Sequence, residues 1–297
     1  MPRRTKILAT LGPATDSPET MDALIAAGLD VARLNLSHDV HDRHHERADR
    51  IRVRAENAGR EVAILVDLQG PKIRIGRFIG GAVDLRPGDV IRIDAEQPLD
   101  AGTAERVGCT YADLADDVSR GDTLLLDDGA IELWIDAVEG RAIRCQVIVG
   151  GRLSNSKGIN KKGGGLSAPA LTEKDKTDIR FAASINADYL AVSFVRSADD
   201  VRTARKLLRE AGGHGGIVAK IERAEALACS DDIIDASDVI MVARGDLGVE
   251  IGDAELPAVQ KKLIHDARAR NCVVITATQM MQSMIESPIP TRAEVFD

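Results

Sequence analysis

Seven short segments of the chain are almost continuously apolar, with Val, Ile, Leu and Ala at most positions. Such runs are typical of strands in a parallel sheet that is covered on both faces, whereas a half-exposed strand alternates apolar and polar residues. The pattern therefore predicts a buried parallel sheet. The segments are "KILATLGP" (6–13), "VARLNLSH" (31–38), "VAILVDLQG" (62–70), "YLAVSFV" (189–195), "IVAKIE" (217–222), "VIMVARGD" (239–246) and "CVVITATQM" (272–280).

Helix signals separate most of these segments. A serine or threonine in the capping position predicts helix starts at Ser17, Thr172 and Ser197. Glycines that follow the helical pattern predict helix ends at Gly28 and Gly212. Strands that alternate with helices in this way predict an α/β fold built on a parallel sheet.

Polar side chains stand at or just after the C-terminal end of nearly every predicted strand. A TIM barrel builds its active site at this rim, whereas a doubly wound sheet binds ligands at one switch point. The pattern therefore favours a TIM (β/α)8-type barrel. The polar residues are Asn35, Ser37, Asp67, Ser193, Glu222, Asp246 and Thr278.

The strand–helix pattern is interrupted between residues 72 and 167. Short strands with Gly, Asp and Pro turns replace it, as in "RPGDVIRIDAE" and "RGDTLLLDDGAIELWIDAVEG". We expect a small β-barrel-like domain inserted after the third strand. The predicted division is a first barrel segment (1–71), the insertion (72–167) and the rest of the barrel (168–297). An inserted domain above a barrel rim is a plausible lid over the site.

The insertion returns to the barrel through "NSKGINKKGGGLSAPALTEKD", which is rich in Gly and Lys. This composition predicts a mobile connection. For the three adjacent glycines, a hinge is favoured over a cradle for phosphate.

Seven strands do not close an eight-stranded barrel. Near the end of the sequence, Thr291 and Glu294 have the spacing of a capping box and predict the start of another helix. We therefore expect a barrel that is incomplete at its C-terminus, in a chain that is a shortened piece of a longer protein.

Composition and charge limit the function classes. The formal net charge is −8, which argues against a general nucleic-acid binder but allows an anionic substrate. The four cysteines form no CxxC pair, which argues against a zinc ribbon or a disulfide framework and fits a reducing cytosol. We find no signal-peptide pattern and no apolar run near the ~18 residues of a membrane span. A cytoplasmic protein without a membrane partner is expected.

Lys220 and Glu222 interrupt an otherwise apolar strand, and the period of two places both on one face. A simple ion pair at the strand end would account for them. Asp246 ends the next predicted strand, however, so two carboxylates from neighbouring strands could converge. Paired carboxylates with substrate oxygens commonly hold Mg²⁺ in phosphoryl-transfer sites.

Other candidates have weaker signals of their own. Arg33 shares a strand face with Asn35 and Ser37, and a guanidinium there suits phosphate or carboxylate. A P-loop pattern is absent. The histidines of "HDVHDRHHER" could suggest a metal cluster, but a solvated helix face is the favoured interpretation. Cations that flank the insertion are Lys72, Arg74 and Lys157.

Taken together, the motifs resemble those of the pyruvate kinase family, in order and in spacing, across essentially the whole chain. The resemblance is closest to bacterial forms. The motifs are "TKILATLGPA", "RLNLSH", "GPKIR", "KGIN", "KIERAEAL", "MVARGDLGVE", "TATQMMQSMI" and "PTRAEV".

The resemblance implies a TIM barrel that is interrupted after its third strand by a β-rich lid. It implies a cytoplasmic glycolytic enzyme that transfers the phosphoryl group of phosphoenolpyruvate to ADP, giving pyruvate and ATP. Mg²⁺ is the implied cofactor, and a homo-tetramer is implied for a full-length form. An eighth strand and a C-terminal domain, which the family carries, are not in this sequence.

Roles follow for individual residues by the same resemblance. Glu222 and Asp246 would bind Mg²⁺. Lys220 would neutralise charge on the moving phosphoryl group and on the enolate oxygen, and Arg33 would contact the phosphoryl group. These four residues are the implied centre of the reaction.

Further roles concern the substrates. The backbone amides of Gly245 and Asp246 would receive the substrate carboxylate, and Thr278 would lie near the face where enolpyruvate is protonated. Arg74 and Lys157 would reach the nucleotide phosphates when the lid closes.

One departure from the family concerns potassium. Asn35, Ser37, Asp67 and the carbonyl of Leu68 match a potassium site, but Lys72 stands where many relatives have an acidic residue. Its ammonium could supply the charge that potassium otherwise provides. We therefore expect that activity requires little or no potassium.

Two other interpretations stay open from the sequence. The chain could be an inactive fragment that acts only as a folding or interaction unit, since a missing strand would leave open barrel edges. It could also be a magnesium-dependent lyase of pyruvate-like acids, because such barrels use paired carboxylates too. The predicted lid and the position of Lys220 argue against the lyase.

Overall fold

The computed structural model describes residues 3–278 and 280–296. Its first part supplies three strands and two helices of the predicted barrel. They are β1 (Leu8–Thr10), α1 (Pro18–Ala27), β2 (Val31–Asn35), α2 (His41–Asn57) and β3 (Ala63–Asp67), with a 3-10 turn at Pro13–Thr15.

The regular elements of the segment that follows β3 are strands apart from one short helix, as its turn-rich sequence predicts. Its elements are β4 (Ala82–Leu85), β5 (Val90–Asp94), β6 (Arg106–Gly108), α3 (Leu114–Asp117), β7 (Thr123–Leu126), β8 (Ile131–Glu139), β9 (Ala142–Val149), β10 (Gly151–Ser154) and β11 (Ile159–Lys161).

The strand–helix alternation then resumes. The elements are α4 (Glu173–Ser184), β12 (Tyr189–Val192), α5 (Ala198–Glu210), β13 (Gly216–Ile221), α6 (Ala224–Ala228), α7 (Ser230–Ala236), β14 (Val239–Ala243), α8 (Arg244–Ile251), α9 (Leu256–Ala269), β15 (Val273–Ala277), a 3-10 turn at Gln282–Ile285 and α10 (Arg292–Phe296).

The central sheet has seven strands in the order β1-β2-β3-β12-β13-β14-β15, and every pairing is parallel. Each predicted strand segment overlaps one of them. In the part of the chain that the structure describes, β1 and β15 do not pair with each other. The α/β fold with an incomplete TIM-type barrel is therefore confirmed.

Strand residues alternate between two cores. On β13, Ile217, Ala219 and Ile221 belong to the large core between the sheet and its helices. Val218 points the other way, into the small apolar core inside the curled sheet. Because side chains alternate along a strand, Lys220 continues the inner row above Val218, towards the C-terminal rim.

The predicted helix caps are observed. Ser17 Oγ accepts a hydrogen bond from Thr20 N at the start of α1. Thr172 and Asp175 form a capping box at the start of α4. Thr291 and Glu294 form the predicted capping box at the start of α10. These local signals fix the helix starts independently of the barrel.

The inserted strands have a hydrophobic core of their own. Six of them form a sheet in the order β11-β7-β8-β9-β5-β6, and β4 pairs with β10 separately. Across the ranges described, β11 and β6 do not pair, so hydrogen bonds do not close this sheet into a ring. None of the helices described is both long and apolar enough to cross a membrane.

Candidate active site

Lys220 lies at the centre of a buried polar cluster on the C-terminal rim. Its side chain comes from β13, and the residue is 9% exposed. The ammonium nitrogen lies 2.7 Å from Ser193 Oγ, 2.9 Å from Glu222 Oε1 and 3.2 Å from Asp67 Oδ1. Residues from three adjacent strands thus meet at one cation.

The surroundings hold Lys220 in its charged form. Burial lowers the pKa of Lys220, but the carboxylates of Glu222 and Asp67 outweigh it, so the net pKa is raised above its ordinary value. The pKa of Glu222 is also raised, mainly by burial and further by the nearby charge of Asp246, while Lys220 opposes the rise. The negative charge of Asp246 thus disfavours a second negative charge on Glu222.

Asp67 is shared between two cations. Its Oδ2 accepts from Nε of Arg33 at 2.7 Å and lies 2.6 Å from Nη2, while its Oδ1 faces Lys220. The third guanidinium nitrogen of Arg33 donates to Thr10 Oγ1 at 2.8 Å. The fork geometry of the guanidinium fixes Arg33 on the rim beside Lys220.

Asp246 lies in the first turn of α8, directly after β14. The two glycines of "GDLG" would suit a turn whose backbone amides approach an anion, but Arg244–Ile251 forms a helix. The consequence for chemistry is similar, since the first amides of a helix have no partner within it and favour anions. A Cβ at Gly245 would lie 3.2 Å from Thr278 Cγ2, which explains the glycine at this close approach.

Thr278 is held in an unusual backbone conformation, with φ of 78°. Arg244 stabilises the segment by donating from Nε to the carbonyl of Ala277 at 3.1 Å and from Nη2 to that of Thr278. The Thr278 residue is exposed at the rim. Positive φ in a β-branched residue is rare and costs energy, which singles out this position.

A cleft of about 1280 Å³ lies between this rim and the insertion. Gly245, Asp246 and Thr278 line it from the barrel side. Opposite them the insertion contributes Lys72, Asp128, Gly129, Glu132 and Lys162. The cleft has room for a substrate much larger than a three-carbon acid.

The two predicted nucleotide-binding cations do not line this cleft. Arg74 Nη1 donates to the carbonyl of Ser156 at 2.7 Å and borders a separate cavity of about 240 Å³. Lys157 pairs with Asp127 at 2.7 Å. Both cations are therefore neutralised or bonded within the insertion in this structure.

Of the four predicted potassium ligands, only Asn35 and Ser37 are joined to each other by a hydrogen bond in the part of the chain that the structure describes. Asn35 Oδ1 accepts from the amide of Ser37 at 3.2 Å, and the carbonyl of Leu68 accepts from Ser193 Oγ at 2.8 Å. Asp67 binds Arg33 and Lys220, as described above. The potassium site stays a prediction.

The histidines of α2 are not simply a solvated face, so that interpretation was partly wrong. His44 is 2% exposed, burial lowers its pKa, and its Nε2 lies 2.8 Å from the carbonyl of His38. His41 stacks on Phe181 with ring centroids 4.4 Å apart. The described residues contain no group of three or more His, Cys, Asp or Glu suited to a metal ion.

Sequence reasoning missed two structural contributors. Ser193 was noted only as a polar strand end, yet it donates to Leu68 and accepts from Lys220. Asp67 was assigned to potassium alone, yet it is the counter-ion of Arg33 and Lys220. Its position at the end of an apolar strand was the available signal.

Comparison with known proteins identifies the family of the chain. Residues 2–297 match the family described as pyruvate kinase, barrel domain. The chain belongs to the pyruvate kinase family. It is 57% identical to the pyruvate kinase of Haemophilus influenzae and to pyruvate kinase II of Salmonella typhimurium, each over 99% of this chain.

More distant members are similar over the same extent. The pyruvate kinase of Corynebacterium glutamicum is 48% identical over 100% of this chain. In each of these comparisons the chain spans 62% of the length of the relative. The family resemblance seen in the motifs is thus confirmed.

Proposed function

We propose that this chain carries the phosphoryl-transfer site of a cytoplasmic pyruvate kinase, with phosphoenolpyruvate and ADP as substrates and pyruvate and ATP as products. The observation that carries the proposal is the buried ammonium of Lys220, fixed between Asp67 and Glu222 beside Asp246. Phosphoryl transfer depends mainly on positioning and charge neutralisation, and this cluster supplies fixed charge beside Asp246, which lines the cleft.

The donor set fits Mg²⁺. Glu222 and Asp246 are hard oxygen ligands, and their mutual repulsion is what a divalent cation would relieve. Their carboxylates would hold the ion, which when bound would neutralise the carboxylate and phosphoryl oxygens of phosphoenolpyruvate. Residues of this chain would bind and orient the substrate and transfer the proton.

Five residues would position the substrate and neutralise the charge of the transferring phosphoryl group. Lys220 stays protonated and faces the transferring phosphoryl group, and Arg33 binds the same group from the neighbouring strand. The first-turn amides at Gly245 and Asp246 receive the carboxylate. Thr278 lines the cleft, and its hydroxyl would relay a proton through water to the enolpyruvate carbon.

We further propose that residues 72–167 act as a lid. Closure would bring Arg74 and Lys157 to the nucleotide phosphates, and Lys157 would exchange Asp127 for a phosphate oxygen. Lys72 lines the cleft with Asp246 and would take the place of potassium. A strong rate increase when potassium replaces sodium in the assay would reject the role of Lys72.

The test is ATP formation from phosphoenolpyruvate and ADP by the purified chain with Mg²⁺. Lys220→Met should lower the rate by about 10³-fold or more, because the charge opposite the phosphoryl group is lost. Asp246→Asn should also lower it strongly, and it removes no hydrogen bond or ion pair found among the described residues. Lys206→Met changes an exposed lysine on α5 and serves as the control.

The outcomes separate the three functions. ATP formation that depends on Lys220 and Asp246 supports the kinase. A folded chain that forms no ATP supports the interpretation as an inactive folding or interaction unit. Magnesium-dependent cleavage of a pyruvate-like acid without ATP formation would support the lyase.

A further inference from the structure

The connection from the insertion back to the barrel contains three successive glycines in left-handed backbone conformations. Gly163, Gly164 and Gly165 have φ of 80°, 81° and 95°. Residues 163–167 are called the return segment below. Its glycine content predicts a mobile hinge, but its contacts show a connection that is fastened to the barrel.

Every glycine amide of the return segment has a protein acceptor. Gly163 N donates to the carbonyl of Glu250 at 3.0 Å, and Gly164 N donates to that of Lys161 at 2.9 Å. Gly165 N donates to the Glu225 carboxylate. With these amides engaged, the glycines do not form a phosphate cradle.

Two arginines of the barrel bind the carbonyls that follow. Arg223 Nη1 donates to the carbonyl of Leu166 at 2.6 Å, and Arg196 Nη1 donates to that of Ser167 at 3.0 Å. Arg223 is 3% exposed, and its guanidinium carbon lies 5.4 Å from the centre of the Phe194 ring. The arginine is therefore held firmly while it binds the return segment.

The packing at this point is close. A Cβ on Gly164 would lie 2.5 Å from Glu225 Oε2, so a side chain there would displace the carboxylate that binds Gly165. The positive φ of Gly164 also disfavours any other residue. The backbone thus favours glycine, and a side chain at this position would break the contact between Glu225 and Gly165.

The same part of the barrel carries the candidate active site. Arg223 follows Glu222 directly in the sequence, and the amide of Ala224 donates to Glu250 Oε2 at 2.8 Å. Glu250 lies on α8, the helix whose first turn contains Asp246. The contacts that hold the return segment are therefore continuous with the two proposed magnesium ligands.

We propose that Glu225 and Arg223 are positioning residues that anchor the return segment, the base from which the lid closes over the cleft, and so set the affinity of the site for the nucleotide. This inference rests on the proposed function, in which the insertion supplies the cations for the phosphates of ADP. The contacts of Glu225 and Arg223 with the return segment are called the latch. The affinity for phosphoenolpyruvate, which would bind the barrel rim, should depend less on the latch.

The first readout is amide hydrogen exchange of residues 162–168, which does not require activity. Glu225→Ala removes the acceptor of Gly165 N, so exchange at this amide should become about tenfold faster. Glu225→Gln keeps an acceptor oxygen and should restore slow exchange. Asp232→Ala, on an exposed carboxylate of α7, is the matched control and should behave like the unmodified chain.

The second readout is steady-state kinetics on the same variants. Glu225→Ala should raise KM for ADP by about tenfold and leave KM for phosphoenolpyruvate near its original value, while Glu225→Gln restores KM for ADP. General destabilisation of the fold would not separate the two KM values in this way.

Each result decides the proposal. Fast exchange of the Gly165 amide in the unmodified chain would overturn it without any variant. So would unchanged exchange in Glu225→Ala, equal behaviour of the Gln and Ala variants, or faster exchange without a change in KM for ADP. A chain that forms no ATP at all would reject the proposed function, while the exchange comparison would still test the latch.

Discussion

Lys220 on the barrel rim and Lys157 on the insertion both pair with aspartate, yet their surroundings differ. Lys220 contacts three polar side chains and is 9% exposed, whereas the side chain of Lys157 is 36% exposed and pairs with Asp127. A buried cation whose partner is removed leaves an uncompensated charge, while an exposed pair can separate into water at little cost. The rim is therefore suited to hold the ammonium of Lys220 in a fixed position. Lys157 on the insertion is suited to exchange Asp127 for another anion.

The largest expected effect comes from breaking the rim cluster. Asp67→Asn removes the shared counter-ion of Arg33 and Lys220 and should lower the free energy of unfolding by about 3–5 kcal/mol. Urea denaturation measures the change. Asp84→Asn, an exposed position on β4, should change stability by less than about 0.5 kcal/mol. Equal effects of the two substitutions would show that the rim charges are not coupled.

A second effect, on the pH dependence of stability, concerns Glu250. This residue contacts both Gly163 at the end of the insertion and Ala224 in the barrel. Burial raises its pKa to about 7 from 4.5, opposed by the Ala224 amide and aided by the charge of Glu225. The folded state then binds the proton more tightly than the unfolded state. This stabilisation is present below pH 4.5 and is lost as the pH rises to about 7.

Glu250→Gln should remove that dependence. The stability of the unmodified chain relative to the variant should fall by about 2–4 kcal/mol between pH 4.5 and 7. Denaturation at a series of pH values gives the difference. Glu61→Gln, at an exposed position, is the control. A constant difference across this range would mean that Glu250 titrates normally.

The smallest effect is expected at the insertion. Lys157→Gln breaks a partly exposed pair and should lower the free energy of unfolding by about 0.2–1 kcal/mol, with less effect at high salt. Denaturation at low and high ionic strength measures both quantities. A loss above about 2 kcal/mol, insensitive to salt, would contradict the contrast with Lys220.

Local signals in the sequence were enough for much of the fold. Apolar runs located all seven barrel strands, and side-chain hydroxyls located the caps at Ser17, Thr172 and Thr291. The period of two also placed Lys220 and Glu222 on one face. These predictions succeeded because each depends on neighbouring residues only.

Contacts between residues far apart in the chain could not be predicted from the sequence. Asp67 meets Lys220 because β3 pairs with β12 across the insertion, and β12 then pairs with β13. The bond from Gly165 to Glu225 likewise joins residues far apart in the chain. The burial of His44 depends on packing that its polar helix sequence does not reveal.

The central claim is that Glu222 and Asp246 form one cation site beside Lys220. Titration of the purified chain with Mn²⁺, followed by electron paramagnetic resonance, tests it with the metal alone. Glu222→Gln and Asp246→Asn should each weaken binding by at least about tenfold, since each removes one of two charged ligands. Asp253→Asn, an exposed carboxylate that lines the same cleft, should leave binding unchanged. Unaltered binding in both site variants, or an equal loss in Asp253→Asn, would contradict the account.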